Sequence, residues 1–206
     1  VYPFVGGTEY SHQYNLKDPR DLDSAFRLDF VGAGTSHTYS GVEFMGSNDY
    51  ANVFFNPNTN LSGLPVHISA LSLADSSANS VDIGSANVGM TNPRLALLLE
   101  YGTTNAAFDA YSYSAGEVVI NNVNSQAFYT ASRINDSSGF MMLFNSSTTP
   151  TKSQSDTTNV SGQLKPNYNV FLGAVNAAGV PTYANTSNRK FGFFSIGNGL
   201  TSGECV

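Results

Sequence analysis

The sequence predicts an all-β sandwich or barrel, because short apolar segments alternate with clusters of turn-forming residues along the whole chain. Gly, Asn, Ser and Pro interrupt the 206 residues at short intervals, a spacing typical of sandwich and barrel folds. Only 12% of the residues are charged and 12% are aromatic, which excludes a disordered chain, a coiled coil or an ion-pair-rich helical protein. No linker or shift in composition divides the chain, so we expect one domain over residues 1–206.

The individual strands are predicted from alternating or continuous apolar runs. The run at residues 94–101 is nearly all apolar, is short for a helix, and is typical of a strand buried on both faces. The segment 176–179 predicts a hairpin turn between strands at 170–174 and 182–184. A further turn is expected at 76–79. The other predicted strands, for a total of roughly ten to twelve, lie at 26–30, 42–45, 53–55, 66–73, 108–113, 118–120, 139–144 and 191–196.

Helix signals are few. Asp18 followed by Pro19 predicts one short helical turn before Phe26. Thr201 and Glu204 have the T-x-x-E spacing of a capping box, which predicts a helix that begins there and is truncated at the end of the chain. The sequence also lacks a starting Met, and we therefore expect a fragment of a longer protein.

The charge balance argues against two classes of partner. Nine Lys and Arg residues against fifteen Asp and Glu residues give a net charge of −6, whereas a nucleic-acid-binding protein normally carries a basic face. The longest apolar run, at residues 95–99, is far shorter than the roughly 20 residues that span a membrane. We therefore expect neither nucleic-acid binding nor membrane insertion. A lone cysteine, Cys205, excludes a disulfide framework and leaves the compartment open.

The sequence carries no recognisable catalytic signature. His12, His37 and His67 are far apart in sequence and lack the spacing of a local metal site. The acid pair Asp21 and Asp23 lies in a segment rich in both charges, which predicts a salt-bridged turn rather than the two carboxylates of a glycosidase. Neither a G-x-S-x-G nucleophile motif nor a phosphate-binding loop occurs. We therefore expect that the protein is not an enzyme.

Tyrosines and turn residues are the candidate ligand-binding groups. Tyr39, Tyr111 and Tyr113 would offer ring faces to a sugar, while Asn48 and Asp49 would form hydrogen bonds with its hydroxyl groups. The alternative is that these rings pack on the sheets.

Calcium is the candidate cofactor. Asp49 ends the loop 46–49, whose hard oxygen ligands suit that ion, and Asp109 would add a further carboxylate. The alternative is that these are ordinary turn residues, for which Asn and Asp are common.

Six segments carry a resemblance to a known family. They are Y-P-F-V-G-G-T at 2–8, residues within 12–28, G-S-N-D-Y-A at 46–51, residues within 138–144, N-V-F-L-G-A at 169–174, and residues within 191–201 that end in S-I-G-N-G-L-T. Together they resemble the concanavalin A-like, LamG-type jelly-roll domains of structural proteins in tailed bacteriophages. The resemblance runs across nearly the whole chain, but the matching residues are mostly structural.

The resemblance implies a two-sheet antiparallel jelly-roll sandwich on a virion surface, as a capsid decoration, head fibre or tail fibre module. Related folds bind glycans, sometimes with calcium, and enzyme members carry an acidic E-x-D-x-x-E strand that this sequence lacks. We therefore expect a non-enzymatic, extracellular homo-oligomer that contacts other virion proteins and binds glycans of a host surface or the environment. The alternatives are a purely structural capsid cement, a glycoside hydrolase or lyase, and a bacterial cell-surface adhesin.

Overall fold

A computed structural model describes residues 1–76, 81–102, 104–147, 149–182 and 189–205. Within these ranges the chain forms two β-sheets that share one apolar core. The larger sheet has nine strands in the order β1-β4-β13-β6-β7-β8-β9, and β14 and β15 extend it beside β6. Their bounds are β1 Asp29–Val31, β4 Tyr50–Asn52, β6 Ile83–Ala86, β7 Arg94–Tyr101, β8 Asn105–Tyr111, β9 Glu117–Asn121, β13 Phe171–Leu172, β14 Val175–Ala177 and β15 Val180–Thr182.

The smaller sheet has seven strands over the same described ranges, in the order β12-β11-β10-β5-β16-β3-β2. Among the described residues, all of its pairings are antiparallel, and in the larger sheet only the contact of β14 with β6 is parallel. The bounds are β2 Thr35–Thr38, β3 Gly41–Phe44, β5 Val66–Ser72, β10 Phe128–Asn135, β11 Ser138–Phe144, β12 Lys152–Asp156 and β16 Lys190–Gly197.

The core lies between the two sheets, where alternate side chains of each strand meet. Leu95, Leu97 and Leu99 of β7 face Ile68 and Ala70 of β5 within one apolar cluster, and all five are fully buried. The predicted all-β, two-sheet antiparallel sandwich is therefore confirmed. The assignment of residues 1–206 to one domain stays a prediction.

The helical segments of the described residues are single turns. Thr8 and Ser11 cap α1 by reciprocal hydrogen bonds, and no helix in the described ranges is long and apolar enough to cross a bilayer. The segments are α1 Glu9–His12, α2 Pro57–Asn60, and 3-10 turns at Asp23–Ala25, Val88–Met90 and Ser202–Glu204.

The two predicted helix starts have different outcomes. No helix follows Asp18, which instead bridges Asn15, and the nearest helical turn begins only at Asp23. The capping box is present: the Glu204 carboxylate accepts hydrogen bonds from the Thr201 amide at 2.8 Å and hydroxyl at 2.7 Å. The turn that it caps is a 3-10 turn at 202–204.

Several predicted strands shift or split. Phe26 adopts a left-handed conformation with φ 58°, so the strand predicted at 26–30 begins only at Asp29. Residues 53–55 follow β4 rather than forming a strand, and Phe54 also has a positive φ of 55°. The predicted turn at 76–79 and the strand end at 183–184 lie mostly outside the described residues.

The hairpin near residue 178 forms with tighter strands than predicted. Ala178 and Gly179 both have positive φ values, of 55° and 91°, and they connect β14 to β15. Two consecutive positive φ values match the twist of a two-residue hairpin, and glycine accepts them without strain.

A β-bulge changes the register of β16. Phe191 pairs with Ser72, whereas Phe193 pairs with the very next residue, Leu71, so Gly192 is the extra residue. Phe191 and Phe194 consequently both lie in the core, although an unbroken alternation would place them on opposite faces.

The charged segment near residue 20 forms the predicted salt-bridged turn. Arg27 contacts Asp23 at 2.9 Å and Asp21 at 3.4 Å, and Arg20 contacts Asp18 at 2.6 Å. These groups are largely exposed, so solvent screens each pair and its contribution to stability is small.

Candidate functional site

The outer face of the seven-stranded sheet carries a row of apolar side chains across four neighbouring strands. Phe128 of β10 lies opposite Phe144 of β11 and Leu71 of β5, and Leu71 lies opposite Phe193 of β16. The ring centroid of Phe128 is 6.0 Å from that of Phe144 and 5.8 Å from that of Phe193. We call Phe144, Phe128, Leu71 and Phe193 the aromatic row.

Two further rows on this face are covered by residues 198–205, which we call the C-terminal cover. The Ser132 hydroxyl donates to the Leu200 carbonyl and accepts from the Leu200 amide, both at 2.8 Å. His67 Nδ1 lies 2.6 Å from the Asn198 carbonyl oxygen. The covered rows are Met142, Thr130, Ser69 and Ser195, and then Phe140, Ser132, His67 and Gly197.

The C-terminal cover does not extend over the aromatic row. A groove of about 800 Å³ lies over part of this row. Leu71, Phe128 and Phe144 form its floor, and the segments 126–127 and 145–147 form its walls. Both wall segments are continuous with strands of the floor, because 126–127 directly precede β10 and 145–147 directly follow β11. Gln126, Asn145, Ser146 and Ser147 supply exposed amide and hydroxyl groups, and Ser72, Leu73 and Cys205 complete the lining.

The groove and the three rows are uncharged over their described residues. Neither the groove lining nor the three rows contain Asp, Glu, Lys or Arg. Burial raises the pKa of the Cys205 thiol, and burial lowers the pKa of His67, so both groups are neutral at pH 7. The site therefore combines ring faces with neutral hydrogen-bonding groups, which suits a flat, hydroxylated and uncharged ligand.

The predicted ligand-binding residues are not brought together. Tyr39 is exposed in the turn between β2 and β3, where its ring lies over Gly7. Asn48 is exposed in the connection from β3 to β4. Tyr113 is half-exposed after β8, with the Arg94 guanidinium 5.5 Å from its ring centroid. None of the three lines the groove.

The prediction that Tyr111 offers a ring face to a ligand is wrong. The side chain is fully buried in the core, its hydroxyl donates to the Leu64 carbonyl at 2.8 Å, and burial raises its pKa. Tyr111 has a positive φ of 74°, which ends β8 and turns the ring inward.

Asp49 holds the loops on either side of it instead of facing a ligand. It is buried, and its carboxylate accepts hydrogen bonds from the Gly46 amide at 2.6 Å and the Gly34 amide at 3.2 Å. Gly32, Gly34 and Gly46 surround the carboxylate so closely that a Cβ on any of them would collide with it.

The predicted calcium site with Asp49 and Asp109 does not form. Asp49 precedes β4, whereas Asp109 lies in β8, four strand positions away in the sheet, or about 19 Å at about 4.8 Å per strand. Asp109 is fully buried and forms an ion pair with Arg94. No group of three or more His, Cys, Asp or Glu side chains within the described ranges is arranged to hold a metal ion.

The fold places the chain in the class of two-sheet β-sandwiches, and comparisons with solved structures agree. A Trypanosoma rangeli sialidase matches with a TM-score of 0.52 and 12% identity, over 87% of this chain and 28% of its own. Arcelin-5, a lectin-like defence protein from Phaseolus vulgaris, matches with a TM-score of 0.50 and 11% identity, over 89% of this chain and 94% of its own.

These likenesses concern the fold alone, because the identities are low. The chain spans about a quarter of the length of the sialidases that it matches, whereas it covers nearly all of arcelin-5. No protein-family model matches the sequence, and no curated protein matches it significantly.

Proposed function

We propose that this chain is a non-enzymatic glycan-binding domain on the surface of a tailed-phage virion, and that the groove holds an uncharged sugar. The main support for this binding site is that Phe128 and Phe144 lie in one groove together with neutral amide and hydroxyl groups. The C–H face of a sugar ring packs on an aromatic ring, while its hydroxyl groups require hydrogen-bonding partners.

The groove lining favours binding over cleavage of a glycosidic bond. Glycosidases place two carboxyl groups on opposite sides of that bond, and the described residues of the groove supply none. The lectin-like and sialidase neighbours are compatible with a carbohydrate ligand.

The virion setting rests on the resemblance of the six segments between residues 2 and 201 to phage structural domains. A display domain of this kind is present in many copies, as a homo-oligomer in contact with other virion proteins. Many weak contacts then add up to strong attachment without any single deep pocket.

A glycan array probed with a multimeric form of the protein tests the proposal. We expect binding to bacterial polysaccharides with neutral sugars, and we expect Phe128→Ala to abolish it, because the substitution removes the central ring of the groove floor. Val119→Ala is the matched control, since Val119 is exposed on the other sheet.

Thermal unfolding of both variants must first show that they are folded. Binding that survives in folded Phe128→Ala would exclude the groove as the site. The capsid-cement alternative predicts a different pair of results. The multimer would bind no glycan on the array, and deletion of the domain would reduce virion stability while adsorption to the host stays normal.

A further inference from the structure

Two histidines that are distant in sequence meet at the edge of the seven-stranded sheet. His12 ends α1, His37 lies in β2, and their Nδ1 atoms are 3.1 Å apart. Neither residue belongs to the groove or to the C-terminal cover, so the pair is independent of the proposed function.

The distance between the two nitrogens matches that of two ligands on one metal ion. Zinc–nitrogen bonds of about 2.0–2.1 Å place two nitrogens about 3.3 Å apart at a tetrahedral angle and about 2.9 Å apart at a right angle. The observed 3.1 Å lies between these values. Without a metal the two rings share one Nδ1 proton, and its transfer to the Nε2 of the same ring would free both Nδ1 lone pairs with no net loss of protons.

Aromatic packing holds the two rings in this arrangement. The edge of Phe4 packs on His12 with a centroid distance of 5.6 Å, and Phe30 packs at nearly a right angle on His37 at 4.7 Å. His12 is 1% exposed, and its Nε2 has no hydrogen-bonding partner among the residues that the structure describes. The rings are therefore positioned before any ion arrives, which lowers the cost of ordering them around it.

A carboxylate is available as a third ligand. Glu9 lies three residues before His12 on α1, a spacing that places both side chains on one side of a helix. Its side chain is exposed, and its charge acts on His37. The carboxylate does not complete a three-ligand group in the structure as it stands, so it would have to move toward the two rings when an ion binds.

We propose that His12 and His37 bind a divalent transition-metal ion, with zinc as the reference case, and that Glu9 and water complete its coordination. Imidazole and carboxylate ligands suit zinc, copper and nickel. The ion would join the N-terminal segment that contains α1 to the edge strand β2, and would thereby stabilise the fold.

Zinc titration followed by calorimetry and by thermal unfolding tests the site. We expect one ion per chain and a rise in Tm of about 5–10 °C at a free zinc concentration of about 100 times Kd. We expect His37→Gln to lose saturable binding and Glu9→Gln to weaken it. His67→Gln is the matched control and should bind as the unchanged chain does, because His67 contacts Asn198 and Ser195 instead.

Cobalt substitution distinguishes loss of the site from loss of the fold. The visible spectrum of bound Co²⁺ should show nitrogen ligation in the unchanged chain and in His67→Gln. Circular dichroism of His37→Gln must match that of the unchanged chain, and His12→Gln provides a second variant if it does not. Absence of saturable binding, or saturable binding that persists in both folded His12→Gln and folded His37→Gln, would overturn the proposal.

Discussion

The outer faces of the two sheets differ in their charge and in their packing. On the nine-stranded sheet, Arg94 forms an ion pair with buried Asp109, and Glu117 lies opposite Asp109. Small side chains on this face, such as Ala96 and Ala107, belong to a second buried apolar cluster. On the seven-stranded sheet the three rows of the outer face contain no charged residue among their described positions, and the aromatic row forms the floor of an open groove. The first face is packed and charged around the Arg94–Asp109 pair, whereas the second leaves an uncharged apolar groove open to solvent.

The largest expected effect compares two adjacent phenylalanines of β16. Phe194→Ala should lower the free energy of unfolding by about 3–5 kcal/mol, because it leaves a cavity in the core. Phe193→Ala should cost about 1–2 kcal/mol, because that ring is only half-buried on the outer face. Urea unfolding measures both, and equal losses would contradict the assignment of the two rings to opposite faces.

The next largest effect concerns the Arg94–Asp109 ion pair on the outer face of the nine-stranded sheet. Arg94→Met should cost about 3–5 kcal/mol, because it leaves the buried Asp109 carboxylate without its ion-pair partner. The double variant Arg94→Met with Asp109→Leu should recover most of that loss, since a buried ion pair exchanges well for apolar side chains. A double variant that is less stable than Arg94→Met would contradict this account.

A smaller effect concerns the C-terminal cover. A Cβ at Gly199 would collide with the Arg133 carbonyl oxygen, whereas a Cβ at Gly203 meets no atom within 4 Å. Gly199→Ala should therefore lift the cover, at a cost of about 1–3 kcal/mol, and increase the labelling rate of Cys205 by a thiol reagent. Gly203→Ala is the control and should label at the original rate, so equal rates in all three proteins would contradict the prediction.

The smallest effect is a pH dependence at His67. Burial lowers the pKa of His67. Below about pH 6.5, His67 therefore becomes protonated in the unfolded chain while it stays neutral in the folded chain. Stability that is fully present above pH 6.5 is therefore lost as the pH falls, by up to about 1.4 kcal/mol at pH 5.5. Urea unfolding at pH 7.5 and 5.5, with a chelator present, should show a smaller loss in His67→Gln than in the unchanged chain. An equal loss in both would assign the effect to other groups.

The strands with continuous apolar runs are predictable from the sequence. Residues 94–101 form β7 with the predicted bounds, because the six central residues of this apolar run, 95–100, are buried. Shorter strands such as β2 and β12 carry few apolar residues and depend on pairing with a neighbour, which no local pattern reveals. Positive φ values at Phe26 and Phe54 also have no signal in the residue type, since phenylalanine rarely adopts them.

The candidate site was not predictable in the same way. Phe128 is followed by Tyr129, and Phe193 by Phe194, so the sequence alone does not tell which ring of each pair faces outward. Only the register of β5, β10, β11 and β16 aligns the outward rings into one row. The meeting of His12 and His37 likewise depends on how the N-terminal segment returns to β2.

The bulge at Gly192 separates the residue count of β16 from its pattern of faces. Phe191 pairs with Ser72 and Phe193 with Leu71, so Phe193 faces outward while Phe191 and Phe194 face the core. Deleting Gly192 would leave a regular strand in which the same three rings keep these faces, because the residues on either side of the bulge already occupy consecutive pairing positions. In the lineage of such a chain, one codon can therefore be gained or lost at this position without changing which rings reach the surface.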